Sequence, residues 1–468
     1  MTSSAPTKDA LVAQLNHLAN EAKVSLESEE FAKLMDKEDP LKAFRDEFYF
    51  PTEGTLIPTN AKRDIDGKPL TYFCGNSLGL QAKRTRKLVE EELDVWAQRG
   101  VEGHFDHPKG RPWAEIEIPA AEYFVDIVGA KDSSEIAVMQ SLTNNLHLLM
   151  LAFYKPTSSR YKIIMEKKAF PSDQYAIDSQ IKFHGLDPKD ALIEVCPRDG
   201  ETILRTEDIL QTIEKEGSSI ALVLFSGVQY YTGQFFDLKA ITDAGHAKGC
   251  VVGFDLAHAV GNVPLRLHEW GVDFSCWCTY KYLNSGPGGI AGLFVHEDFS
   301  QSYEQFPGLA GWWGHDRSTR FDMPPTFKPI PGAHALQLSN VPVMTTACLL
   351  GSLQVFKEAG GMNSLRTKSL LLTQYMQELL DSQIAQKSFR ILTPRDPAFR
   401  GCQISLSFPE DGKMMQVFKG LRKAGIVCDE RKPDCIRLAP VPLYNSFQDV
   451  WKVVHCLKSL LGPKEGRE

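Results

Sequence analysis

The sequence predicts an α/β fold: a mainly parallel sheet in a large domain, followed by a smaller α+β C-terminal domain. Three observations carry this. Between about residues 130 and 300, short apolar runs alternate with amphipathic stretches. The runs are short and largely apolar and read as buried strands. After about residue 340 the pattern changes to two long helical stretches and then short strands. Strands of a parallel sheet are buried on both faces and read as continuous apolar runs, and their crossovers are usually helices. At 468 residues the chain is also too long for one simple core.

Taken in order, residues 1–60 read as a helical N-terminal arm ending in Pro- and Gly-containing turns (PTEGTLIPTN). The large domain is expected over 61–335. In it IAVMQSL, YKIIMEK, ALIEVCP, IALVLFSGV, VVGFDLAHA and DFSCWCTYKY read as buried strands. DQYAIDSQIKFHG, RTEDILQTIEKEG and DLKAITDAGHAKG read as the helices between them. The small domain is expected over 336–468, with helices in NVPVMTTACLLGSLQVFKEAG and SLRTKSLLLTQYMQELLDSQ. Strands follow in FRILTP, CQISLSF, IVCDER and CIRLAPVPL.

Composition narrows the class of function. The chain is 43% hydrophobic and 24% charged, ordinary for a globular protein. A net charge of −7 and the lack of any long Lys/Arg block argue against nucleic acid or an anionic membrane as partner. No run of about 18 apolar residues is present, so no membrane span is expected, and the first residues lack the pattern of a secretory signal. The ten cysteines are scattered with no C-x-x-C pair, which fits reduced thiols in the cytoplasm and no metal site.

Two catalogue motifs fail on context. GNSLG (75–79) has the spacing of a nucleophile elbow, but LQAKR separates it from the helical KLVEEELDVW. GPGGIA (286–291) has a dinucleotide-loop spacing, yet it leads into the strand-like GLFVHE.

Parallel α/β sheets bind ligands at the carboxyl ends of their strands, so a polar residue that closes an apolar run is informative. VVGFDLAH delivers Asp255, then His258; DFSCWCTYKY ends in Lys281 before NSGPGG. Alone, Asp255 reads as a structural carboxylate and Lys281 as a snorkelling edge residue. Together they are the two groups pyridoxal chemistry needs: a carboxylate for the pyridinium nitrogen and an amine for an imine at the aldehyde. Leu142 and Thr143 stand where MQSLTNNLHLLMLAFY turns from strand to helix, a suitable place for a phosphate. Ser226, at the end of IALVLFSGV, offers a second hydroxyl, and Phe170 in AFPSD a surface for a flat ring.

FDLAHAVGNVPL, CTYKYLNSGPGGIAG and GLAGWWGHDRSTRF resemble segments of the kynureninases, within the class-V, fold-type-I pyridoxal-phosphate enzymes. FCGNSLGLQ, AFPSDQYAI, SGVQYYTGQ and CIRLAPVPLYNSFQDV do so as well, so the resemblance spans about residues 40 to 460. It implies PLP-dependent hydrolysis of L-kynurenine and 3-hydroxy-L-kynurenine to anthranilate or 3-hydroxyanthranilate plus L-alanine, in tryptophan catabolism toward NAD. It also implies a homodimer with the cofactor, pyridoxal 5'-phosphate, at the interface.

Residue by residue, the resemblance implies that Lys281 carries the cofactor and removes the Cα proton, while Asp255 pairs with the ring nitrogen. Leu142, Thr143, Ser226 and Tyr280 hold the phosphate end, Phe170 covers the ring, and Asp173 and His258 lie against the cofactor. Trp312 and Asn340 belong to the cofactor or substrate pocket, contributed from the second subunit. Arg437 binds the substrate α-carboxylate, a contact suited to a guanidinium fork. His104, Ser339 and Asn340 face the substrate ring, which implies a preference for the 3-hydroxy form. The loop around FDHP departs from the family pattern, leaving His107 as an alternative to His104. Tyr280 and Tyr231 are both candidates for the donor to the oxyanion formed when water adds to the ketone.

Overall fold

The computed structural model describes residues 6–52, 54, 67–299 and 308–462. Its largest sheet has seven strands, in the order Ile136–Val138, Gly292–Val295, Phe274–Trp277, Val251–Asp255, Ile220–Ser226, Lys162–Glu166, Leu192–Val195. The five strands from Phe274–Trp277 onward run parallel, and Gly292–Val295 runs antiparallel to both its neighbours. This is the mainly parallel sheet expected from the apolar runs, each of which holds one of these strands.

Both faces of the sheet are covered. On one, Leu146 and Leu149 of the Leu142–Phe153 helix, with Ile177 and Ile181 of the Pro171–Phe183 helix, pack against Ile163, Leu222, Leu224 and Phe274. On the other lies the Leu238–Ala247 helix, and Gly245 lets it approach closely. A Cβ at Gly245 would stand 2.5 Å from Val252 Cγ2 and 3.4 Å from Val223 Cγ2, so a larger residue would push the helix off the sheet.

The chain divides into two compact units. One comprises 85–230 and 236–354 and contains the seven-stranded sheet. The other gathers residues up to 84, 231–235 and those from 355 onward. It holds a four-stranded antiparallel sheet in the order Asp429–Arg431, Cys435–Leu438, Ile404–Ser407, Arg390–Ile391. Beside it, Thr71–Tyr72 pairs in parallel with Ile426–Val427.

This division differs from the boundaries expected at 60 and 335. Instead of forming a separate arm, the N-terminal helices Lys8–Ala22 and Glu29–Glu38 bury Leu15, Phe31 and Met35 in the core made by the Gly361–Gln383 and Phe447–Leu461 helices. The Phe31 and Tyr375 rings meet at 5.6 Å, and Tyr375 meets Phe447 at 5.8 Å. Most of the turn segment expected at 51–60 lies outside the described residues.

Candidate active site

Parallel strands in register end at the same level, so the last residues of adjacent strands share one site. Lys162–Glu166, Ile220–Ser226 and Val251–Asp255 are consecutive in the sheet and end in Glu166, Ser226 and Asp255. Asp255 Oδ1 accepts the Ala257 N–H at 2.7 Å, which fixes the carboxylate where the chain leaves the strand. Asp173, from the first turn of the Pro171–Phe183 helix, lines the same cavity as Asp255. Burial pushes both carboxyls up, and the charge of Asp255 helps hold Asp173 well above the usual carboxylate range. Interaction with Asp173 and the Ala257 N–H offset part of the rise at Asp255. Asp173 Oδ1 has no hydrogen-bond partner among the described residues.

Lys281 follows the Phe274–Trp277 strand. Its Nζ lies 2.8 Å from His258 Nε2 and 6.0 Å from the centre of the Tyr280 ring. Two residues back, the Thr279 hydroxyl bonds to Ser285 Oγ at 2.6 Å and donates to Ile290 O, anchoring the start of the segment. The charge of Lys281 lowers both aspartates, so amine and carboxylates share one electrostatic environment. Burial pushes the Tyr280 hydroxyl above the ordinary phenol range.

The start of the Leu142–Phe153 helix also lines the site. Gln140, at φ +49°, turns the Ile136–Val138 strand toward the Leu142–Phe153 helix. Ser141 at the N-cap makes no side-chain cap bond. First-turn N–H groups have no intrahelical acceptor, so those of this helix are available to a phosphate. Thr143 Oγ1 lies 2.8 Å from Ser172 Oγ. Phe170, just before Pro171, presents an exposed ring set edge-on to Tyr230 at 5.2 Å. One pocket of about 130 Å³ is lined by Leu142, Thr143, Phe170, Asp173, Ser226, Asp255, His258, Tyr280 and Lys281, with Ser172, Val228, Tyr230 and Ala257 completing its wall. Nine expected site residues therefore converge.

The others do not line this pocket. Tyr231 donates its hydroxyl to Asp434 Oδ1 at 2.8 Å, in the other unit. Arg437, also there, is almost fully buried in the Cys435–Leu438 strand. It pairs with Asp429 through Nε–Oδ1 at 3.2 Å and Nη2–Oδ2 at 2.7 Å. In the larger unit, His104 Nδ1 lies 3.0 Å from Val101 O, with its ring edge-on to Trp113 at 5.2 Å. Trp312 is 46% exposed and donates Nε1–H to Arg320 O at 3.0 Å. Ser339 is exposed, and Asn340 Oδ1 is a buried atom with no partner among the described residues. His107 is not available as a substitute for His104. Its buried side chain bonds Glu92 Oε2 at 2.9 Å, and Glu92 also accepts from Arg111 and Trp113, each at 2.8 Å.

Sequence reasoning missed Glu166, which accepts both the hydroxyl and the N–H of Ser226. The signal was available, because Glu166 closes the apolar run KIIME as Asp255 closes its own.

A family model described as the kynureninase C-terminal domain matches residues 365–457. Kynureninase from Nematostella vectensis is 51% identical over 457 residues, 95% of this chain and 96% of that protein. Kynureninase from Mus musculus is 51% identical over 458 residues (96% and 97%), and that from Homo sapiens 49% over 458 residues (96% and 97%). Among solved structures, a cysteine desulfurase from Thermococcus onnurineus superposes with a TM-score of 0.67 at 18% identity, covering 84% of this chain and 94% of that one. The cysteine desulfurase CsdA from Escherichia coli gives 0.69 at 17% identity, covering 90% and 98%. At these identities the likeness is one of fold.

Proposed function

The chain belongs to the kynureninase family, and on that premise we propose that the pocket around Lys281 holds pyridoxal phosphate and is where it hydrolyses L-kynurenine to anthranilate and L-alanine. The observation that carries this is the convergence in one pocket of an amine, a buried carboxyl pair and an uncapped helix start. These residues fit the group. Asp255, a carboxylate in the pocket beside Lys281, suits a protonated ring nitrogen; the first-turn N–H groups at Leu142 and Thr143, with the hydroxyls of Thr143 and Tyr280, suit the phosphate; Phe170 suits a ring face.

When bound, pyridoxal phosphate supplies a sink for the electron pairs released as the substrate's Cα–H and Cβ–Cγ bonds break. The chain's own residues do the rest. Lys281 would hold the cofactor and, once displaced by the substrate amine, take the Cα proton, with His258 Nε2 at 2.8 Å to keep its Nζ directed. Asp255 keeps a proton on the ring nitrogen, and without that charge the sink would fail. Tyr280 is the donor we assign to the oxyanion formed as water adds to the ketone. Its hydroxyl lies at the pocket and is held protonated by burial, whereas that of Tyr231 is engaged by Asp434. Arg437 grips the substrate α-carboxylate, already oriented by Asp429.

The working form we assign is a cytoplasmic homodimer in which Trp312 and Asn340 serve the partner's pocket. In support, Phe105, Trp312 and Phe321 form an exposed aromatic cluster, with Phe321 5.1 Å from Phe105 and 5.4 Å from Trp312. All ten cysteines are free, in keeping with a reducing compartment. No helix of the described residues is long and apolar enough to cross a membrane. His104, Ser339 and Asn340 would give the substrate ring polar company and favour 3-hydroxykynurenine, whose hydroxyl they can satisfy. The test is a steady-state assay of purified protein on both substrates, with products identified. Alanine plus the matching anthranilate, and a higher kcat/KM for the 3-hydroxy form, are expected. Equal or reversed preference would remove the ring assignment, and absence of either product the activity.

A further inference from the structure

Glu166 ends its strand beside Ser226, is almost completely buried, and takes both hydrogen-bond donors that Ser226 offers. The hydroxyl donates to Oε1, and the backbone N–H donates to Oε2 at 3.2 Å. Ser226 stands opposite Asp255 in register, so Glu166 is one strand removed from the aspartate assigned to the cofactor ring. Glu166, Asp173 and Asp255 also line one small cavity, which shares Asp173, Ser226 and Asp255 with the pocket and is walled by Leu146, Met165 and Ile177.

We propose that Glu166 is a positioning residue for the proton-holding end of this site: it fixes the direction of the Ser226 hydroxyl and joins Asp173 and Asp255 in a three-carboxyl cluster whose protons set the charge on Asp255. This rests on the pocket assignment made above. While Ser226 donates to Glu166, only the lone pairs of its oxygen can face the pocket, so the hydroxyl meets a ligand as an acceptor, unlike the phosphate-holding donor that the resemblance implied. Burial pushes Glu166 up to about 7; its bonds from Ser226 pull it down and the charge of Asp255 pushes it up. The groups facing it are thus Asp255 from the second strand along and Asp173 from the Pro171–Phe183 helix, both acidic. A proton gained or lost at Glu166 near neutral pH changes the field at Asp255 without touching substrate.

The test uses the holoenzyme and the variants Glu166→Gln, Glu166→Asp and Ser226→Ala, with three readouts. These are the visible absorption of the bound cofactor from pH 5.5 to 9, the cofactor dissociation constant, and kcat and KM separately. In Glu166→Gln the amide turns an N–H toward a hydroxyl that had been donating. Expected are a displaced absorbance–pH curve, cofactor binding weakened by about tenfold, the size of one lost charged hydrogen bond, and a fall in kcat with little change in KM. Glu166→Asp should restore most of the curve, and Ser226→Ala should displace it in the same direction. An absorbance–pH curve in Glu166→Gln that superimposes on that of the parent overturns the role of Glu166. So does a displaced curve that Glu166→Asp leaves equally displaced, which marks a packing effect. Should Glu166→Gln fail to fold, an unmoved curve in Ser226→Ala overturns the proposal equally. A parent protein with no bound-cofactor band overturns the pocket assignment itself, a different result from a normal band indifferent to Glu166.

Discussion

Ser226 and Asp255 face each other in register at the carboxyl ends of neighbouring parallel strands. That pairing brings a hydroxyl and a carboxylate to the same level of the sheet, and Lys281 joins them in the pocket from just beyond the next strand. Three residues spread over 55 positions of sequence thus meet because their strands are adjacent and parallel. The chemistry assigned to the pocket depends on this alignment more than on any loop.

Replacing Asp255 by Asn keeps the shape of the site and removes its charge. Cα proton abstraction should slow by roughly a hundredfold or more, about 3 kcal/mol of lost transition-state stabilisation. Exchange of the substrate Cα proton with deuterated solvent, followed by NMR, checks this directly. Near-normal exchange would make Asp255 a structural carboxylate.

Glu166 makes stability depend on pH. Its carboxyl is raised from 4.5 to about 7 by burial in the folded chain. Below 4.5 it is protonated in both states and contributes no slope. Between 4.5 and about 7 the folded chain keeps a proton that the unfolded chain has released, so stability falls as pH rises; above that window the slope ends. The loss should be on the order of a few kcal/mol at most. In the cofactor-free protein, Tm should therefore fall more between pH 5 and 8 than it does in Glu166→Gln. Parallel curves would contradict it.

Much of this was legible in the sequence, and what was missed has physical causes. Asp255, Ser226 and Lys281 could be found because each closes a buried apolar run at the ligand edge of a parallel sheet. Glu166 closes such a run too, but KIIMEKK continues into lysines, and a glutamate among charges reads as strand-end solvation. Glu92, in the charge-rich KLVEEELDVW, reads as a solvent face; it is buried because His107, Arg111 and Trp113 fold back on it. The N-terminal helices carry apolar faces, but their partners, Tyr375 and Phe447, lie more than 300 residues on, beyond any local pattern. Tyr230 and Tyr231 are adjacent, yet only the first lines the pocket, a distinction set by where the chain leaves the larger unit.

Arg437 offers a two-pronged contact that lysine cannot reproduce. Arg437→Lys should raise KM for kynurenine by about ten- to a hundredfold while kcat changes less, the mark of lost ground-state and transition-state binding alike. Because Asp429 would lose its buried guanidinium partner, thermal unfolding should be measured alongside. A fall in Tm with unchanged KM would make the residue structural.

The exposed cluster of Phe105, Trp312 and Phe321 should be covered in the working protein. Sedimentation at micromolar concentration should give a dimer. Phe321→Glu should shift it toward monomer and release cofactor together with activity. A fully active monomer would exclude any contribution of Trp312 and Asn340 to a partner's pocket.

The most direct measurement is chemical. Protein purified with pyridoxal phosphate is treated with borohydride, digested, and mapped by mass spectrometry for a lysine bearing the reduced cofactor. The mass increment should fall on Lys281, in the peptide containing TYKYLN, and disappear in Lys281→Ala. Modification of another lysine, or a cofactor that reduction never fixes to the chain, would contradict the assignment on which the site and its chemistry rest.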